Sequence, residues 1–151
     1  MSWSVLNTNL YNLLNDNKTT LGIQEVYEYP EMKFTGYPAV HMNPSDQDND
    51  YETTSENLRT YAFKIRLFDE VSEQGMQDAL TTLRTLADSI IDKIDQENEL
   101  HTGMTINANL PARYTFINIV ATPSNWGQTD EEQLVFNELT VRIKVSVDVS
   151  P

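Results

Sequence analysis

The stretch Val71–Asn98 reads VSEQGMQDALTTLRTLADSIIDKIDQEN. Met76, Ala79, Leu80, Leu83, Leu86, Ala87, Ile90, Ile91 and Ile94 return every three or four residues, which draws one apolar stripe along a helix of period 3.6. Gln77, Asp78, Thr81, Thr82, Arg84, Asp88, Asp92, Lys93 and Asp95 fill the opposite face. Ser72 is placed to cap the first turn, with Glu73 and Gln74 just inside it and Val71 stapled to Met76. Only one face is apolar, so this helix lies on a surface rather than inside a core.

That surface must come from strands on either side. Tyr61, Phe63, Ile65 and Leu67 alternate with Thr60, Lys64 and Arg66 over Leu58–Phe68. Leu139, Val141, Ile143, Val145, Val147 and Val149 alternate strictly with Thr140, Arg142, Lys144, Ser146 and Asp148. Tyr114–Ala121 carries Ile117 and Ile119 on one face and Phe116 and Val120 on the other, the pattern of a central or doubly covered strand. Ile23–Tyr29, stopped by Pro30, and Tyr37–Met42 read as a strand pair. Trp3, Leu6, Leu10, Leu13 and Leu14 form the stripe of a short helix over about residues 2–15, ended by Asn15-Asp16-Asn17. Thr102–Ala112 and Thr122–Glu132 read as connections. The fold expected is α+β: a largely antiparallel sheet of four to five strands, with the long helix and the short N-terminal helix packed on its dry face.

At 151 residues the chain is expected to form one domain, residues 1–151, which buries roughly 68–70% of its unfolded surface. Cysteine is absent, which removes disulfides, thiol nucleophiles and thiolate metal sites and fits a reducing cytosol. No apolar run approaches the ~20 residues of a membrane span, and Met-Ser-Trp-Ser-Val has no basic signal-peptide start, so no membrane partner is expected. Ten bases against 23 acids give a net charge of −13. Nucleic-acid binding rests largely on cations that neutralise phosphates, so this balance argues against it. It is compatible with a wall that DNA slides past, while on charge alone plain solubility is the default reading.

Catalytic signals are missing. His41 and His101 stand alone, no glycine-rich phosphate loop joins the glycines at 22, 36, 75, 103 and 127, and no elbow surrounds a serine. The chain is therefore read as a non-enzyme with no cofactor and no metal. Residues 43–56 hold five acids and no base: Asp46, Asp48, Asp50, Glu52 and Glu56, with Tyr51 set between Asp50 and Glu52. This reads as a long solvated loop, or a segment ordered only against a partner. Asp46–Asp50 mimics the opening of a calcium loop, but Tyr51 replaces the turn glycine and Asn57 the final glutamate.

Candidate interface residues are more numerous. Lys64, Arg66, Arg142 and Lys144 would share one wet face if their strands share a sheet, as a docking stripe for an acidic segment such as 46–56. The bland reading is ordinary surface charge. Phe116 and Val120 need cover, from the N-terminal helix or a neighbouring subunit. Trp126, in a polar stretch, either anchors an interface or folds back on the core.

The layout resembles the tail terminator, or tail completion, proteins of long-tailed bacteriophages. The features that carry the likeness are the helix Trp3–Leu14, the strand pair Ile23–Pro30 and Tyr37–His41, the strand Tyr61–Phe68 leading into Met76–Ile94, and Leu139–Val147. The acidic 43–56 stretch departs from it. The resemblance implies a structural virion protein made in the bacterial host cytoplasm. It implies a homo-oligomeric ring in the phage neck, usually of six subunits, that contacts the tail tube protein and the head–tail connector protein. DNA would pass through without specific binding. Other readings are a different neck or tail-tube subunit, or, from another class, a monomeric ligand- or cation-binding module or small enzyme.

Overall fold

The computed structural model describes residues 2–30, 33–51, 55–71, 75–99, 105–106, 110–128 and 134–149. The chain runs through helices α1 (Ser2–Asp16) and α2 (Lys18–Leu21) and strands β1 (Glu25–Tyr27), β2 (Ala39–Tyr51) and β3 (Glu56–Glu70). Helix α3 (Met76–Gln96) follows, extended by a 3-10 turn over Glu97–Glu99. Strands β4 (Tyr114–Gln128) and β5 (Leu134–Asp148) close the fold. One five-stranded sheet has the order β1-β2-β3-β5-β4. Every neighbouring pair is antiparallel except β1 with β2. The expected α+β layering is what forms.

The inner face carries the core. Tyr61, Phe63, Ile65 and Leu67 of β3 and Leu139, Val141, Ile143, Val145 and Val147 of β5 are buried against Ala79, Leu83, Leu86, Ala87, Ile90 and Ile94 of α3. Strand period two and helix period 3.6 thus meet along one apolar seam. Leu6, Leu10, Leu13 and Leu14 of α1 join the same core, and Trp3 stacks edge-on against Tyr61 and Phe63 at 4.9 and 5.2 Å.

The length of α3 sets how far this seam runs. Its 21 residues span ~32 Å at 1.5 Å each. The ten residues of β3 from Glu70 back to Tyr61, nine rises, span ~31 Å. At that level the helix is tied down: Asn98 accepts from the Ile119 N–H (2.7 Å) and donates to its carbonyl (2.8 Å), and Ile119 pairs with Ile143, which pairs with Tyr61. Beyond it the inner face turns polar. Arg59 donates to the Tyr61 and Tyr114 hydroxyls, both at 3.4 Å, and Asn57 donates to Asn49 at 3.1 Å. Ile106, wholly buried, fills the space past the helix end. The buried Glu97 carboxylate accepts its N–H at 3.3 Å, and Asn9 of α1 donates to its carbonyl at 3.1 Å.

Several sequence expectations change. The long helix starts at Met76, because Gly75 takes φ +96° and ψ 178°, a conformation that excludes a continuing helix and is open essentially to glycine. Met76 is 40% exposed in the first helical position, so no staple to Val71 forms there; Ser72, Glu73 and Gln74 lie outside the described residues. The strand β1 keeps three residues, and it runs parallel to β2, joined by residues 28–38. Phe34 of that connection lies over the outer face. Phe34 packs on Phe68 at 4.9 Å and His41 on Phe68 at 5.0 Å, so Ala39, His41 and Phe68 are buried on a face the alternation made wet.

The acidic stretch is not a loop through its first half. Asp46, Asp48, Asp50 and Tyr51 belong to β2 and Glu56 to β3, in a hairpin whose residues 52–54, with Glu52, lie outside the described residues. Pairing decides this: β3 already presents a full row of backbone donors and acceptors, and Gln47–Tyr51 pair with Asn57–Tyr61 along it. Likewise residues 122–128 extend β4 rather than form a loop.

β4 is an edge strand, not a central one. Phe116 pairs with Val145 and Asn118 with Lys144, which leaves Ile117 as the extra residue of a bulge. The bulge resets the alternation. Phe116, Ile119 and Ala121 all point inward and are buried, whereas Ile117 and Val120 are 37% and 50% exposed.

The seam predicts a sharp positional contrast. Leu83→Ala, at a fully buried site, should cost ~2–5 kcal/mol. Met76→Ala, on the same stripe but exposed, should change stability by less than ~0.5 kcal/mol. Urea unfolding midpoints of the two variants check this; equal losses would contradict the placement.

Candidate subunit interface on the outer sheet face

The outer face is built where β3 and β5 lie side by side. The register sets Thr60 opposite Lys144, Ala62 opposite Arg142, Lys64 opposite Thr140 and Arg66 opposite Glu138. All four bases of the sequence-derived stripe therefore share one face of adjacent strands. β4 adds Asn118 beside Lys144 and Val120 beside Arg142. β2 adds Asp48 opposite Thr60 and Asp50 opposite Leu58.

The stripe divides into two halves with different partners. Arg66 Nε lies 2.9 Å from Glu138 Oε2, and Lys64 Nζ lies 3.5 Å from Oε1. Ser124, the extra residue of a second β4 bulge, donates its hydroxyl to Glu138 at 3.0 Å. Lys64 also donates to Thr140 at 3.1 Å, and the Arg66 guanidinium lies 5.4 Å over the Phe136 ring. Lys64 and Arg66 are thus engaged within the chain by a residue the sequence reading did not single out. Its signal was present: continuing the alternation of Leu139–Val149 back by one residue puts Glu138 on the same face as the bases.

Arg142 and Lys144 form the other half. Arg142 is exposed and Lys144 half-buried. Among the described residues neither has an ion-pair partner. Asp48 is on the same face as Lys144 but two strands away, ~9.6 Å at normal strand spacing. The acids of β2 and the bases of β5 thus lie apart within one chain.

The remaining candidates separate. Phe116 is buried in this chain's own core, so the cover it needs is supplied within the chain. Val120 faces outward next to Arg142 and is half exposed. The Trp126 backbone pairs with Asn137, and its side chain lies outside the described residues, as does His101. His41 is buried against Phe68 and Phe34. The Asp46–Asp50 backbone follows strand geometry, which spaces alternate residues ~6.8 Å apart in a line rather than around one centre. Among the described residues no group of three or more His, Asp or Glu is arranged to hold a metal ion.

Glu138 makes a pH-dependent contribution. Burial acts to raise its pKa, but the hydrogen bonds from Arg66 and Ser124 and the charges of Lys64 and Arg66 outweigh burial, and the net shift is downward. A carboxyl with a depressed folded-state pKa stabilises the fold above its unfolded pKa. That stabilisation is lost as pH falls through the folded value. Glu138→Gln should therefore cost about 1–3 kcal/mol at neutral pH. The gap from the parent in urea midpoint should close once pH drops below the ordinary carboxylate range. A gap that stays constant with pH would show that the ion pairs contribute nothing.

No protein-family model matches the sequence, and no curated protein matches it. Solved structures do match. One is a chain of a structure described as the virion of a native gene transfer agent (GTA) particle, with a TM-score of 0.64 and 14% sequence identity. The match covers 93% of this chain and 94% of that chain. At this identity the likeness is one of fold, and it spans nearly the whole of both chains.

Proposed function

We propose that the protein is a structural component of a phage-like virion, and within it a tail terminator: a ring that caps the head-proximal end of the tail tube and joins it to the head connector. The observation that carries this reading is the nearly end-to-end fold likeness to a chain of the gene transfer agent virion, 93% of one chain against 94% of the other. The sequence layout that resembles tail terminators supports the finer assignment. Net charge supports it as well. At −13 the chain suits the wall of a conduit that DNA crosses without adhering. On this reading the protein is not an enzyme, and its partners are further copies of itself, the tail tube protein and the connector protein.

Immunogold labelling of the particles that contain the protein tests the assignment. Label confined to the junction of head and tail is the expected result. Label along the whole tail would make the chain a tube subunit instead, and particles free of label would overturn the virion reading. Negative-stain micrographs of the purified protein at high concentration should show closed rings with a central hole.

A further inference from the structure

Assembly of this chain with itself faces an electrostatic obstacle, since every copy carries a net charge of −13. The sheet edges do not offer an easy route. On the free edge of β4, Asn98 occupies the outward N–H and carbonyl of Ile119, and Pro123 has no N–H to offer. Bulges at Ile117 and Ser124 interrupt the rest. On β2, Pro44 and the irregular pairing between Pro44 and Gln47 break the edge, and Asp46 and Asp48 charge it. These are the devices by which strands avoid pairing edge to edge. Association through the sheet then uses a face rather than an edge.

Most of the outer face is already occupied. Phe34 covers the end near Phe68, and Glu138 engages Lys64 and Arg66. What is left is Arg142 and Lys144, flanked by the half-exposed Val120 and by Ile117. This is a small apolar patch beside two cations, and it lies toward the β4 side of the sheet. The exposed acids Asp46 and Asp48 lie on the opposite side, on β2.

We propose that the outer face of β4 and β5, centred on Arg142, Lys144 and Val120, docks the acidic β2 segment around Asp46 and Asp48 of a second copy of this chain. Charge complementarity selects that occupant, since it brings two bases that have no ion-pair partner among the described residues against acids that form no ion pair among them either. The two patches are distinct and share one face, two strands apart, and in the proposed ring the contact is heterologous. Each copy gives its acidic strand to one neighbour and receives another on its basic face, the arrangement that closes into a ring. This deepens the terminator reading by naming the contact between its subunits, and it rests on that reading for the ring.

A reciprocal charge exchange tests it. One variant carries Arg142→Glu and Lys144→Glu, and the other Asp46→Lys and Asp48→Lys. Sedimentation velocity at about 50 mM salt reads the mass, where screening is weak. The parent should assemble at about 100 µM, and assembly should weaken at high salt. Each variant alone should stay monomeric with the parent's circular dichroism, its association weakened by roughly tenfold or more. An equimolar mixture should recover the parent's mass, because each variant then meets a complementary partner; this rescue separates a lost contact from a lost fold. The proposal is overturned if either variant assembles like the parent, if the mixture stays dispersed, or if the parent is monomeric throughout. Its failure is distinct from failure of the virion reading. Head–tail label with no effect of the exchange removes this contact alone, and rescue without such label removes the terminator assignment alone.

Discussion

The fold depends on one seam, where the apolar stripe of α3 lies along the inner faces of β3 and β5. Each element is apolar on one side only, so neither is stable without the other. The match of lengths makes the seam close. About 32 Å of helix covers the β3 segment from Glu70 to Tyr61. Where the helix stops, the side chains of Asn98 and Glu97 tie its end to β4 and to Ile106. The polar residues Arg59 and Asn57 begin on β3 at the same place. A longer helix would lay its apolar stripe against these polar groups, and a shorter one would expose Tyr61.

The outer face is organised by different physics. It has no continuous cover, so its charged residues are free to make local pairs. Glu138 draws Lys64 and Arg66 together in a partly dehydrated cluster in which every charge has a partner. Four and six residues further along β5 than Glu138, Arg142 and Lys144 have no such acid among the described residues. A stripe that looks uniform in sequence is therefore two surfaces, one neutralised within the chain and one available to a neighbour.

Edge protection and face chemistry point the same way. Bulges, Pro44, Pro123 and the Asn98 clamp keep β2 and β4 from serving as templates for further strands. A chain that must associate in a fixed geometry gains from this, since open-edge pairing tolerates slipped registers. Charged contacts on a face are weak singly and fix orientation better than they bind.

The sequence by itself determined the periodic elements: α1, the body of α3, the centre of β3, and β5 with its dry and wet faces. Local pattern suffices there because burial on one side imposes a period on the residues. It also determined that the four bases share a face, once their strands are neighbours. Tertiary structure alone decided the rest. Asp46, Asp48 and Asp50 read as loop because nothing apolar repeats, yet they form a strand because β3 offers hydrogen bonds along its whole length. Ile117 and Phe116 exchanged roles because a bulge is a property of pairing with β5, invisible in β4 alone. Ala39, His41 and Phe68 became buried because Phe34, in the connection to a parallel partner, lies over the outer face. Glu138 came to hold Lys64 and Arg66 because register, and not composition, sets which charges face each other. Each of these outcomes depends on contacts between segments far apart in the chain, and a local period carries no information about them.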